Sequence, residues 1–387
     1  MQNSKRLLLN RVLIGLLVVF FCAVFFLPSV LNKNPQIQSK LLITAIGIDQ
    51  EQDQIEFSGV CIFPDNGEQA KVKSLTVTSK APTIAECVER ISEQYGKQAE
   101  LGLCGLIVIG ESTDTKSVLP HLEFLLSSAF VSPGTYIIYA SEGKASKLLE
   151  YASKQNPSTA EILSSVVEFN DKTARITTKT LLEFLSETYS KSSSSVVPSV
   201  KVEKSGNEEQ GKVMNTLTTA VVYKNGQNAG VLNEEQTLGL NIATQTADKG
   251  LLSVESVVLD NQNIGRLDCW IYSSKSKTKV KFENGVPIAN IDIKVVLQFQ
   301  DQHKIIRAWK QSGKKESEIT EPLLTIFQEK ISQLVSNAFT KSQELNADVF
   351  ELKPEFFRYC TKEFLSMDST EFLSKVQPQI NVKVSFK

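Results

Sequence analysis

Histidine is scarce in this chain: two among 387 residues, alongside three methionines and two tryptophans. His121 falls at a helix start and His303 at a turn, which leaves little from which to build a histidine-rich metal site or a Ser-His-Asp arrangement. Charge of one dominant sign is also missing. The 42 basic residues are balanced by 43 acidic ones, for a formal net charge of −1, so no strongly basic surface invites nucleic acid. Paired cysteines are absent too. The five beyond residue 31 (Cys61, Cys87, Cys104, Cys269 and Cys360) are odd in number and show no C-x-x-C spacing. They read as small buried hydrophobes; Cys61 and Cys104 lie in strand-like runs, where a bridge between paired strands is the alternative. No G-x-G-x-x-G, Walker A, H-E-x-x-H, G-x-S-x-G or EF-hand loop occurs, and the carboxylates are scattered in solvated-looking patterns. The chain reads as a non-enzyme without cofactor or metal.

What the chain does have is an uncharged run of 20 residues, Val12 to Leu31, VLIGLLVVFFCAVFFLPSVL. As a helix it spans about 30 Å, the thickness of a bilayer's hydrocarbon core. Fifteen of the 20 are Leu, Ile, Val or Phe, and each central one favours insertion by roughly 0.3 to 0.6 kcal/mol. Lys5, Arg6 and Arg11 precede the run, which keeps the short N-terminus in the cytoplasm and exports the rest. A cleaved signal peptide would carry a shorter apolar region and small residues at its exit; here the exit is Phe26-Leu27-Pro28-Ser29-Val30-Leu31. Cys22 raises a lipoprotein reading, but Phe20 and Phe21 stand where a lipobox needs small residues, so lipidation there is not expected. Residues 1–37 are therefore expected to form a cytoplasmic tail, a transmembrane signal anchor and a short linker.

Beyond the anchor lie about 350 residues, a length prior of two to three domains. LLITAIGID (41–49) and QIEFSGVCIF (54–63) read as strands around a polar turn, with Val72–Ser79 as a third. Asp49 is expected as a turn residue. Thr83 caps a helix whose Ile84, Cys87, Val88 and Ile91 share one face. LCGLIVIG (103–110) is a continuous apolar run, the mark of a strand covered on both faces. A helix over about 116–127 and a strand over 136–140 complete a first α/β or α+β domain, 38–150. From about 144 to 190 the spacing turns helical. Ser190–Ser195, SKSSSS, and Glu203–Lys212 read as flexible polar surface segments, which makes 151–212 a small, mainly helical second domain.

Residues 213–387 read as a C-terminal α+β domain. It holds strand Thr216–Tyr223, a turn at Asn225-Gly226, a β region over 251–300 and an amphipathic helix whose stripe is Leu323, Phe327, Ile331, Leu334, Ala338 and Phe339. Glu316, Glu318 and Glu321 suit its N-terminal end. A shorter helical stretch around 354–374 precedes a closing strand, Ile380–Phe386. The fold class is α+β: a membrane anchor followed by α+β domains with mixed or antiparallel sheets.

Two patterns stand out as interaction candidates. Lys275, Lys277, Lys279 and Lys281 alternate, so a strand places all four ammoniums on one face over about 20 Å. They suit anionic headgroups or an acidic partner, or guard an exposed strand against edge pairing. Asn233-Glu234-Glu235 suits a helix start, with Asn233 as cap and the glutamates in the first turn, or a partner contact.

Four segments, in order, make the chain familiar: LLITAIGIDQ (41–50), LTTAVVYKNGQNAGVLNEEQTLGL (217–240), SQELNADVFEL (342–352) and VQPQINVKVSFK (376–387). Their order and spacing resemble the Ger(x)C family, the C subunits of bacterial spore germinant receptors. The resemblance implies three α+β domains on the outer face of the spore inner membrane, assembled with an A subunit and a polytopic B subunit into a receptor that answers small-molecule nutrients. Its role there would be assembly and signal relay. The chain departs from the family pattern at three places: the missing lipobox, Ser127-Ser128-Ala129-Phe130 in place of a basic-acidic pair, and Glu351 where the family has Gly. The competing reading is an independent membrane-tethered solute-binding protein that serves a transporter.

Overall fold

The computed structural model describes residues 14, 15, 17, 20, 21, 40–64, 72–127, 131–155, 167, 173–203, 212–214, 219–244, 249–259, 262–300 and 316–387. Most of the expected anchor over 12–31, Cys22 included, lies outside the described residues, as does 204–211. Among the described residues no helix is long and apolar enough to cross a membrane.

The first sheet is mixed and has ten strands among the described residues. Its strands are β1 (Lys40–Glu51), β2 (Gln54–Pro64), β3 (Val72–Ala81), β4 (Gln98–Glu100), β5 (Leu106–Gly110), β6 (Tyr136–Ser141), β7 (Ser194–Glu203), β8 (Lys212–Met214), β9 (Ala220–Lys224) and β10 (Gln227–Leu232). The order is β10-β9-β7-β6-β5-β1-β2-β3, with β4 beside β1 and β8 beside β7. The central pairs β1–β5, β5–β6 and β6–β7 are parallel; hairpins extend the sheet antiparallel on either side. Every residue of β5 is buried, because its alternate side chains feed two cores. Ile107 and Ile109 pack with helices α1 (Ile84–Tyr95), α2 (Leu119–Ser127) and α4 (Leu181–Tyr189). Leu106 and Val108 pack with helix α3 (Ala145–Gln155) on the other face. A strand covered on both sides needs no polar alternation, which is why the run reads as continuous.

Helix starts follow local chemistry. The Thr83 hydroxyl accepts from the Glu86 amide at 3.2 Å, and Thr180 and Glu183 form a reciprocal capping box at α4. Asn225 and Gly226 take φ of 51° and 74°, the left-handed pair that a two-residue hairpin requires between β9 and β10.

The second sheet is β11 (Leu251–Leu259), β12 (Gln262–Glu283), β13 (Val286–Phe299) and β14 (Gln377–Phe386), in that order. It is antiparallel except for β13–β14, which run parallel. Between β13 and β14 the chain forms α6 (Glu316–Glu344) and then three short helices, α7 (Leu352–Tyr359), α8 (Thr361–Ser366) and α9 (Phe372–Lys375). The six stripe residues of α6 are at most 1% exposed. They share one core with α5 (Glu234–Thr244), the inner face of the second sheet, and Val196, Ala220, Val222 and Leu232 of the first.

Three expectations are corrected. Ser190–Ser195 does not form a flexible surface break: Ser192, Ser194 and Ser195 are 2%, 3% and 1% exposed, and Ser194 opens β7, a strand between β6 and β9. Serine is small enough to be buried once its hydroxyl is bonded, and these hydroxyls are bonded to Asp348, the Ser192 carbonyl and Glu187. Among its described residues the stretch 151–212 is accordingly not mainly helical, since β7 and the start of β8 extend the first sheet. Cys61 lies on β2 and Cys104 just before β5, and β1 separates those two strands; the cysteines of the described residues are free thiols.

Candidate functional site

Strand β12 presents different chemistry on its two faces. Lys275, Lys277, Lys279 and Lys281 are all exposed and point to one side of the sheet, as their alternation dictates. Ser276 and Thr278, on the other side, line a cleft of about 640 Å³. The remaining cleft walls come from the segment 177–179, α4, the first residues of β7, the end of α5, and α7 with the loop that leads into it.

Charge in the cleft is mostly paired. Lys179 forms an ion pair with Glu187, and Glu187 also accepts from the Ser195 hydroxyl at 2.6 Å. Glu183 is held by the Thr180 amide and hydroxyl at 2.9 and 2.7 Å. Arg358 donates to Glu355 at 2.7 Å. Glu351 differs. Much of its surface is exposed, yet its carboxyl lies at the cleft, where burial and then the Glu187 charge raise it above the usual carboxylate range. Its backbone is left-handed, φ 54° and ψ 36°, which costs a residue with a Cβ about 1 kcal/mol.

A buried carboxylate joins the cleft to the first sheet. Asp348, 1% exposed, accepts from the Leu352 and Lys353 amides at 2.9 and 2.8 Å. These are the first amides of α7, where an anion is favoured by orphan donors and the helix dipole. The Ser192 hydroxyl donates to the same carboxylate at 2.9 Å, and the Asp348 amide donates to Ser194 Oγ at 3.1 Å. Asp348 thus latches α7 to the strand that opens β7.

Asp49 repeats the device in the first sheet. It is fully buried and accepts from the Ala145 and Ser146 amides at 2.8 and 2.9 Å and from Ser112 Oγ at 3.2 Å. The expected turn residue is instead the anion that seats the N-terminus of α3. Asn233 caps α5 reciprocally with Gln236, at 2.9 and 3.0 Å. Glu235 pairs with Lys330 of α6 at 2.7 Å, and Glu234 lies 3.6 Å from Arg175. The structure therefore brings the four lysines together but keeps Asn233-Glu234-Glu235 apart from them, at the start of α5.

The pattern described as the spore germination protein N-terminal domain matches residues 33–202, and the spore germination B3/GerAC-like C-terminal pattern matches residues 218–387. The chain belongs to the GerAC-like spore germination family. The crystal structure of the GerBC protein superposes with a TM-score of 0.53 at 17% identity, covering 88% of this chain and 96% of that one; at this identity the likeness is one of fold. No curated protein matches the chain.

The GerAC-like segments quoted from the sequence now have physical content. Asp49 is next to last in the first, Gly239 packs α5 on α6 in the second, and Asp348 sits within the third. Position 351 is left-handed, the conformation that glycine adopts without a Cβ penalty. Glu351→Gly is expected to stabilise the protein by about 1 kcal/mol, read as a higher urea midpoint with an unchanged slope. The sequence named neither Asp348 nor Lys179, Glu187 and Glu351 as a group; the DVF segment was the one signal for Asp348, and its Ser192 and Ser194 partners lie about 150 positions away.

Burial pushes the Asp49 carboxyl up, against the pull of the Ser146 and Ala145 amides. The folded state therefore holds its proton more tightly than the unfolded chain does. The associated stability is present in full below the unfolded carboxylate pKa and is lost as pH rises through the raised folded value. Asp49→Asn is expected to remove that falling segment from a plot of urea midpoint against pH.

Proposed function

We propose that this GerAC-like protein is a non-catalytic, extracytoplasmic C subunit of a nutrient germinant receptor, acting in receptor assembly and signal relay. It would face outward from the spore inner membrane, with its N-terminus in the cytoplasm, beside an A subunit and a polytopic B subunit. The observation that carries the reading is the interlock of the two family-matched regions. Strands β9 and β10, from the C-terminal region, extend the sheet of the N-terminal region through β7, and Asp348 bonds Ser192 and Ser194 across the same junction. A displacement imposed on either region is thereby transmitted to the other. The division at 38–150, 151–212 and 213–387 belongs to this proposal, with the middle piece as the joint. Buried thiols support a non-catalytic reading: desolvation pushes Cys61, Cys104 and Cys269 up to about 12, which leaves them protonated and poorly nucleophilic.

The cleft favours a second reading, a tethered solute-binding protein that serves a transporter, because polar side chains converge on one concave volume. Co-purification of the full chain with A and B subunits, alongside calorimetric titration with amino acids and sugars, separates the two. Partner capture without ligand heat supports the receptor-subunit role. A saturable isotherm without partner capture sinks it and promotes solute binding.

A further inference from the structure

On a chain of formal net charge −1, the outer face of the second sheet concentrates positive charge. Lys275, Lys277, Lys279 and Lys281 of β12 share that face with Lys294 of β13 and Lys383 of β14, all exposed. Register makes the concentration sharper: Lys275 lies opposite Lys294, which lies opposite Lys383. Three like charges in one row across three strands destabilise a sheet. The next row is relieved, with Asp292 between Lys277 and Asn381, and the Asn381 amide bonded to Asp292 at 3.0 Å. Lys281 pairs with Glu283. Edge protection accounts for lysines on β12, which has β13 alone as neighbour beyond Ser273. It does not account for Lys294, which lies on a strand paired on both sides.

Aromatic residues continue the same face. Trp270 and Tyr272 are 47% and 50% exposed, and the Lys387 ammonium lies 3.6 Å from the Tyr272 ring centroid. The opposite side chains of β13, Ile291, Ile293, Val295 and Leu297, are in the core, so the lysine face is backed by packed side chains. We infer that this face docks on an anionic phospholipid surface, with the lysine row over headgroup phosphates and Trp270 and Tyr272 at the interfacial level. Lipid is the occupant that fits. The charges are lysine point charges spread across three strands rather than lined along one strand edge, which suits a surface of phosphates better than a single extended acidic peptide. Exposed tryptophan and tyrosine beside lysine are the composition of a membrane interface.

The test uses the full chain with Trp309→Phe, which leaves Trp270 as the remaining tryptophan, in phosphatidylcholine vesicles with and without phosphatidylglycerol. Bromine-labelled phosphatidylcholine serves as quencher. Because the readout is Trp270 itself, membrane attachment elsewhere in the chain does not produce the signal. Docking predicts a blue-shifted, quenched Trp270 on the anionic vesicles alone, reversed by high salt. Substituting Lys275, Lys277, Lys279 and Lys294 with Gln should lower the docked-to-undocked ratio by about fivefold per lysine, on the order of several hundredfold together. Trp270 emission that is the same on both vesicle types, or quenching that survives the four substitutions, overturns the inference. Shielding of Trp270 on neutral vesicles only after A and B subunits are added also overturns it, in favour of a protein occupant. Each of these outcomes stands apart from the receptor-subunit reading, because the lipid measurement itself contains no partner or nutrient.

Discussion

Gly239→Ala should cost the protein about 3 kcal/mol or more, at the upper end of overpacking penalties. A Cβ at this position would stand 2.2 Å from the Leu334 carbonyl oxygen and 2.5 Å from its carbon. Those atoms are the backbone of α6, which cannot swing away as a long side chain would. Relief requires α5 to lift off α6, and that contact is where Leu334, Val335 and Leu240 are at most 3% exposed. Helix propensity acts in the opposite direction, since alanine is the better helix former by up to about 1 kcal/mol, but it is too small to compensate. Gly143 is the control: nothing lies within 4 Å of a Cβ there, and Gly143→Ala should shift the urea midpoint little. Equal midpoints for the two variants would show that α5 and α6 are not in the close contact described.

Asp348→Ala is the second large effect, at about 3 to 5 kcal/mol. The substitution removes the acceptor for the Leu352 and Lys353 amides and for the Ser192 hydroxyl, in a site that water does not reach. Burial raises the Asp348 carboxyl, opposed by the Lys353 and Leu352 amides, so the aspartate itself carries a desolvation cost. For that reason Asp348→Asn, which keeps one acceptor oxygen, should be milder than alanine. The two variants also make a mechanical prediction. With the latch broken, amides of α7 and of the strand opening at Ser194 should exchange with solvent faster than those of α1, which the latch does not touch. Equal acceleration or no change across all three would contradict the latch.

The parts of the fold legible in the sequence are those whose cause is local. Leu106–Gly110 reads as a doubly covered strand because its neighbours in sequence are all apolar. The α6 stripe and the β12 alternation are periods of 3.6 and 2 written within one element, and Thr83 and Asn233 announce helices that begin at the next residue. What escaped depends on residues far apart along the chain. Ser192 and Ser194 look like linker until Asp348 is placed beside them. Asp49 looks like a turn until α3, 96 positions on, brings its amides to the carboxylate. The cleft is the same kind of object, since 177–179, β12 and α7 meet only once both sheets are assembled. Low-complexity serine was misleading for a specific reason: a hydroxyl is small enough to enter a core, and its composition carries no sign of whether a partner waits there.

The central claim is that this GerAC-like chain holds a germinant receptor together. The abundance of the polytopic B subunit in spore inner membranes, with and without this chain, tests it most directly. Assembly predicts that B falls when the chain is deleted, returns with the wild-type chain and stays low with Asp348→Ala. Undiminished B in the deletion strain would contradict it.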